Sequence, residues 1–140
     1  MAVNLSDFEG AWVLEKRIIH GDGQKASFRG SARFIPDAKG LRYEERGLIR
    51  LNGHRPVSAQ RSYLWRQGEA GRVAVHFDDG RPFHVIDPSL PNDTHHCAPD
   101  TYEVSYRFDI WPEWMATWQV RGPAKDYRMV ATYRRPVPGD

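Results

Sequence analysis

Two short stretches gather most of the side chains in this chain that are able to do acid–base, nucleophilic or metal chemistry. Phe77-Asp78-Asp79-Gly80-Arg81-Pro82-Phe83-His84 and His95-His96-Cys97-Ala98-Pro99-Asp100-Thr101-Tyr102 hold three of the six histidines, the only cysteine, three aspartates and an arginine. Imidazole and thiolate together suit zinc or another borderline-soft ion. The spacing fits no standard metal motif, because His95, His96 and Cys97 are consecutive and neighbours on a strand point apart, so no metal or other cofactor is assigned. Cys97, with histidines nearby and Asp100 to orient one of them, has the ingredients of an activated thiol. No glycine-rich oxyanion loop adjoins it, and the plain alternatives are that Asp100 caps the strand starting at Thr101 and Cys97 packs as a small apolar residue. His84 is the natural acid–base candidate, supported by Asp79, Asp100 or Cys97.

A second set consists of polar residues on otherwise apolar faces. Glu45 is in register with Tyr43, Gly47 and Ile49, and Arg61 with Ala59, Tyr63 and Trp65. If those faces point inward, a carboxylate and a guanidinium sit where neither is tolerated unpaired. Arg61 and Tyr63, two apart on one strand, project side by side; this resembles the arginine and tyrosine that hold a ligand carboxylate inside intracellular lipid-binding barrels. The competing reading is a Glu45–Arg61 ion pair across neighbouring strands that satisfies itself. Trp65, Arg81, His84, His95, Tyr102, Trp118 and Lys125 complete the candidate ligand contacts, Lys125 as a clamp at the mouth or as a rim salt bridge.

The elements that must position these groups are strands. Turn signals recur at Gly21-Asp22-Gly23, Asp37 to Gly40, Asn52-Gly53, Gln67 to Gly71, Asp79-Gly80, Trp111-Pro112 and Gly122-Pro123, with a longer loop from Pro88 to Pro99. Between them the residues alternate: Ala26, Phe28, Gly30, Ala32 and Phe34 oppose Ser27, Arg29, Ser31 and Arg33. Tyr102, Val104, Tyr106 and Phe108 oppose Glu103, Ser105 and Arg107. Trp114, Trp118 and Val120 share a face, as do Tyr127, Met129, Ala131 and Tyr133. A tight hairpin at Asp79-Gly80 puts Arg81, Phe83 and Val85 on one side, with His84 and Ile86 on the other. His84 then meets His95, His96 or Cys97 if the long loop folds back over the barrel mouth. Helical periodicity is confined to a short turn from Leu5 to Glu9, capped by Asn4 or Ser6. About nine or ten strands in hairpin succession exceed what one open sheet holds without curling. The expected fold is therefore all-β, a single antiparallel up-and-down β-barrel spanning residues 1–140, with a β-sandwich as the alternative.

Composition narrows the classes. Charged residues are 27% and apolar residues 40%, with a net charge of +2 and both signs interspersed, so neither disorder nor a nucleic-acid surface is indicated. One cysteine excludes an internal disulfide framework, no secretory signal is visible from Met1 to Phe8, and no apolar run approaches the ~20 residues of a membrane span. The expected location is cytoplasmic. Aromatic residues are 12%, enough to fill a barrel or to line a pocket.

The opening Gly10-Ala11-Trp12 resembles the Gly-x-Trp start of the first lipocalin strand, where the tryptophan closes one barrel end beneath an arginine from the last strand; Arg134 or Arg135 is placed to play that part. The same residues with Arg17-Ile18, together with Tyr43-Glu44-Glu45-Arg46-Gly47, Arg61-Ser62-Tyr63-Leu64-Trp65, Phe77 through His84, His95 through Tyr102 and Gly122 through Tyr127, resemble the largely bacterial family named domain of unknown function 6314. That resemblance implies a lipocalin-like barrel and carries over no activity. The expected function is binding of a small, partly apolar, anionic ligand in or at the mouth of the barrel. The alternatives are a small enzyme around His84, Asp79, Asp100 and Cys97, or a protein-interaction module with a filled barrel and a homodimer or partner surface built around the Pro88–Pro99 loop.

Overall fold

The computed structural model describes residues 3–89, 92–97 and 99–140, the segment 92–97 by its backbone alone. Ten strands are present among the described residues: β1 (Gly10–His20), β2 (Lys25–Asp37), β3 (Gly40–Leu51), β4 (Val57–Gln67), β5 (Val73–Phe77), β6 (Pro82–Ile86), β7 (Asn92–Cys97), β8 (Asp100–Arg107), β9 (Trp114–Arg121) and β10 (Asp126–Arg134). Every ladder is antiparallel, and the order β6-β5-β4-β3-β2-β1-β10-β9-β8-β7 joins sequence neighbours at each step except one. That step is β1 against β10, which ties the two ends of the chain together from Val13↔Arg134 to His20↔Tyr127. The outermost strands of that order, β6 and β7, lie next to each other, so the sheet curls into a nearly closed up-and-down barrel.

The alternation read from the sequence is the alternation of burial. Ala26, Phe28, Ala32 and Phe34 of β2, Leu41 and Tyr43 of β3, Val104 and Tyr106 of β8, Trp114, Ala116 and Val120 of β9, and Ala131 and Tyr133 of β10 all point inward. One stretch departs from expectation. Residues 92–97, read as part of a long loop, form β7 and pair residue by residue with β8, from Asn92↔Ser105 to Cys97↔Asp100. Asn-Asp-Thr-His-His-Cys has no apolar period of two, so its strand character comes from the β8 edge it completes rather than from its own pattern.

One barrel end is closed by aromatic packing. A single 3-10 turn, Leu5–Phe8, follows Asn4, whose backbone N–H donates to the Asp7 carboxylate at 2.8 Å. It inserts Phe8 among Phe34, Trp65, Phe108, Trp111 and Trp114, with ring centroids 5.1–5.9 Å apart. Trp12 lies fully buried beside them and donates its indole N–H to the Phe8 carbonyl at 2.8 Å. The arginine above it is Arg135: its guanidinium carbon lies 3.7 Å from the Trp12 ring centre, and its N–H groups donate to the Ala11, Asp7 and Glu9 carbonyls at 3.0 Å. Arg134, the other candidate, pairs instead with Asp140 at 2.8 Å.

Candidate functional site

Above the aromatic floor, the barrel interior turns polar. On the inner face of β1 the run Trp12, Leu14 continues to Lys16, and on β3 the run Leu41, Tyr43 continues to Glu45. Register sets these two residues against opposite ends of the same stretch of β2: Lys16 faces Phe28, Glu45 faces Ala32, and Gly30 lies between. With no side chain at Gly30, the Lys16 amine crosses β2 and forms a close ion pair with Glu45 Oε2. A Cβ at Gly30 would stand 2.1 Å from the Arg46 carbonyl oxygen, so the two strands pack where only glycine fits.

The pair is deeply buried, Lys16 at 8% exposure and Glu45 at 6%. Tyr43 donates its hydroxyl to Glu45 Oε1 at 2.7 Å and shares a second 2.7 Å hydrogen bond with the Tyr133 hydroxyl. Tyr133 in turn stacks on Trp114, centroids 3.7 Å apart and planes 2° off parallel. Burial lowers the Lys16 pKa; the attraction of Glu45 opposes this and the nearby Arg61 charge adds to it. Burial also holds Tyr43 and Tyr133 well above the ordinary phenol range, so both stay protonated donors.

Lys16 was not among the residues singled out from the sequence, though the signal was present: it continues the inward period Trp12, Leu14. The competing reading, a Glu45–Arg61 ion pair, gives way to another partner for Glu45. The two residues are direct neighbours across β3 and β4, but Glu45 is taken by Lys16, and Arg61 reaches the mouth, where Nη1 donates a long 3.4 Å hydrogen bond to the Tyr63 hydroxyl. Desolvation works against the Arg61 charge, yet Tyr63 and Glu45 outweigh it and leave its pKa raised.

These groups line one cavity with Trp65, Phe83, His84, Tyr102, Tyr106, Trp118 and Tyr127. Its volume is about 60 Å³, room for about four to six waters at ~10–15 Å³ each. The barrel is therefore largely filled by its own side chains. What remains is a slot with polar groups at its inner end and rings at its mouth. Phe83 stacks between Phe77 (4.5 Å, 19°) and Trp118 (5.4 Å, 18°).

His84 is 6% exposed and its Nε2 is 2.8 Å from the Tyr106 hydroxyl. The sequence placed Phe83 and His84 on opposite sides, but both are buried and both line the cavity. The cause is a bulge: Val75 pairs with His84 and His76 with Pro82, so β6 advances two residues while β5 advances one. Pro82 has no N–H to lose there.

The other candidates are dispersed. Arg81 lies outside the cavity on the exposed hairpin, bonded to Asp79 at 2.7 Å and lying over the Phe77 ring. Backbone and side-chain donors of Arg81 hold the Asp79 pKa low. Asp100 pairs with Lys125 at 3.3 Å, and Lys125 also donates to the Tyr102 hydroxyl at 3.0 Å, so Lys125 reaches the cavity wall from the rim. The side chains of His95, His96 and Cys97 lie outside the described residues, and with them the expected meeting with His84. Among the described residues no three His, Cys, Asp or Glu side chains gather around a point that would hold a metal. No helix among them is long and apolar enough to cross a membrane.

Fold and interior together define a lipocalin-like up-and-down barrel with an aromatic mouth and a charged, hydroxyl-rich inner end. The chain belongs to the family of unknown function DUF6314, whose profile matches residues 8–135. No curated protein matches it. Among solved structures it is similar to the S-type phycobiliprotein lyase CPES from Guillardia theta, with a TM-score of 0.66 and 8% identity over 95% of this chain and 90% of the lyase. It is also similar, at a TM-score of 0.46 and 18% identity, to a de novo designed fluorescence-activating β-barrel, over 97% of this chain and 100% of that one. The likeness to the lyase is one of fold.

Proposed function

We propose that the barrel binds a small, flat, partly apolar anion in or at the mouth of the cavity, with its acidic group on Arg61 and its body among the rings of the wall. The observation that carries this reading is the charge inventory of the lining. Two cations, Lys16 and Arg61, face one carboxylate, Glu45, and the surrounding hydroxyls of Tyr63, Tyr102 and Tyr127 are able to rotate as donors. One positive charge in excess along the cavity lining favours an anion, and aromatic walls favour a flat one. A cavity of about 60 Å³ admits only the head of such a ligand unless the stacked Phe83 ring moves. Lys125, held on Tyr102 and paired with Asp100, stands at the rim.

The test is titration of trans-cinnamate, a flat carboxylate, against tryptophan fluorescence, since Trp65, Trp114 and Trp118 all line the cavity. Saturable quenching is expected, weakened roughly tenfold or more in Arg61→Met, as the loss of a charge-assisted hydrogen bond of about 1.5–3 kcal/mol requires. Absence of quenching by cinnamate and by a panel of related flat anions would remove the reading and favour a filled barrel acting through its surface.

A further inference from the structure

We propose that Lys16 is a covalent capture site, whose amine forms a protonated imine with a small conjugated aldehyde or ketone entering the cavity. This deepens the ligand-binding reading and rests on it. The chain has sixteen arginines and four lysines, Lys16, Lys25, Lys39 and Lys125. Charge on the surface is supplied mainly by arginine, whereas the cation placed fully inside is a primary amine, the one cationic side chain that becomes a nucleophile on losing a proton. Lys16 lines the cavity and lies over the Phe28 ring at 4.9 Å. Glu45 is in contact to take its proton, and Tyr43 and Tyr133 bridge on the far side of that carboxylate. Burial favours the neutral amine. The wall also holds the buried indole N–H of Trp114, which no described residue accepts and which is a donor for an oxygen in that space.

The chemistry balances with the residues present. The Lys16 ammonium gives a proton to Glu45, and the neutral amine adds to the carbonyl carbon as the C=O π pair moves to oxygen. Proton transfer from nitrogen to that oxygen gives the carbinolamine. The Glu45 carboxyl then returns its proton to the carbinolamine hydroxyl, which leaves as water while the nitrogen lone pair forms the C=N bond. Ammonium plus carbonyl becomes iminium plus water, and the iminium inherits the ion pair with Glu45. No oxidant, metal or second substrate is required.

The experiment treats the wild-type protein with trans-cinnamaldehyde and sodium cyanoborohydride, followed by intact mass and peptide mapping. One reduced adduct is expected, on the Lys16 peptide, formed about tenfold or more faster than on Lys25, Lys39 or Lys125, a preference of about 1.4 kcal/mol. Excess cinnamate should slow it, and Lys16→Met/Glu45→Gln should abolish it. Labelling confined to the other lysines, or Lys16 labelled no faster than they are, overturns the proposal. Because the mapping uses the wild-type chain, its outcome does not depend on a variant folding. Quenching by cinnamate without a Lys16 adduct sinks covalent capture and leaves the binding reading standing. Neither quenching nor adduct sinks both.

Discussion

Removing the Lys16 amine alone should be among the most damaging single changes to this barrel, and removing Glu45 with it should be far less so. In Lys16→Met, Glu45 keeps the Tyr43 hydroxyl as a donor but loses its cation while remaining buried at 6% exposure. Breaking one side of a buried pair costs about 3–5 kcal/mol, a large part of the ~5–15 kcal/mol that stabilises a domain. At this chain length that is a fall in Tm of roughly 10–20 °C. Lys16→Met/Glu45→Gln removes both charges, and such exchanges for neutral groups of similar volume are often neutral or stabilising. The double variant should therefore recover most of the loss, giving a coupling of about 2–4 kcal/mol in a double-mutant cycle. Urea denaturation at neutral pH with an unchanged m-value is the measurement. A loss below about 1 kcal/mol in Lys16→Met, or no recovery in the double variant, would refute the reasoning; it would mean that Arg61, the direct neighbour of Glu45 across β4, swings inward and replaces the lysine.

Four further outcomes follow from the same geometry. Burial lowers the Lys16 pKa from its ordinary 10.5, so the unfolded chain binds the proton more readily; the stability of wild type relative to the double variant should rise as pH climbs toward 10.5, as denaturant midpoints across that range would show. Arg135→Ala removes the cation over Trp12 and three carbonyl contacts, and should lower unfolding stability by about 1–3 kcal/mol with the far-UV spectrum retained. Gly30→Ala forces a methyl to within 2.1 Å of a carbonyl oxygen and should destabilise by about 1–3 kcal/mol or more, whereas Gly53→Ala, with nothing nearby, should cost only the strain of its positive φ. Asp87 accepts from the Ser89 hydroxyl and backbone and from Arg72, which together bring its pKa from 3.8 down to about 2. Its stabilisation is thus present above pH 3.8 and lost as pH falls through about 2, so Asp87→Asn should be less stable than wild type at neutral pH and indistinguishable at the acid end of a thermal pH series.

The fold was legible because its cause is local. Alternation along Ala26–Phe34, Leu41–Ile49 and Tyr102–Phe108 sets an inner and an outer face without reference to any partner strand, and turn residues at Asp37–Gly40 and Asp79-Gly80 set the hairpins. The closing Gly-x-Trp and its arginine were legible for a similar reason, although only packing chose Arg135 over Arg134. Arg61 beside Tyr63, with Trp65, His84, Tyr102 and Trp118 on inward faces, could also be read in advance, and all of them line the cavity.

What tertiary structure decided are the places where residues distant in sequence compete for one another. Glu45 had two cations within reach, and the choice of Lys16, 29 residues away, depends on the register that sets both residues either side of the side-chain-free Gly30, which no period of two encodes. The bulge between β5 and β6 turned Phe83 and His84 to the same side against the alternation, because it is a mismatch between two strands and not a property of either. β7 became a strand because β8 offered it a ladder, while its own residues carry no apolar stripe. Alternation dictates which face a residue takes; which residue it meets there is set by register, curvature and the free energy of burying charge, and these exist only once the barrel is closed.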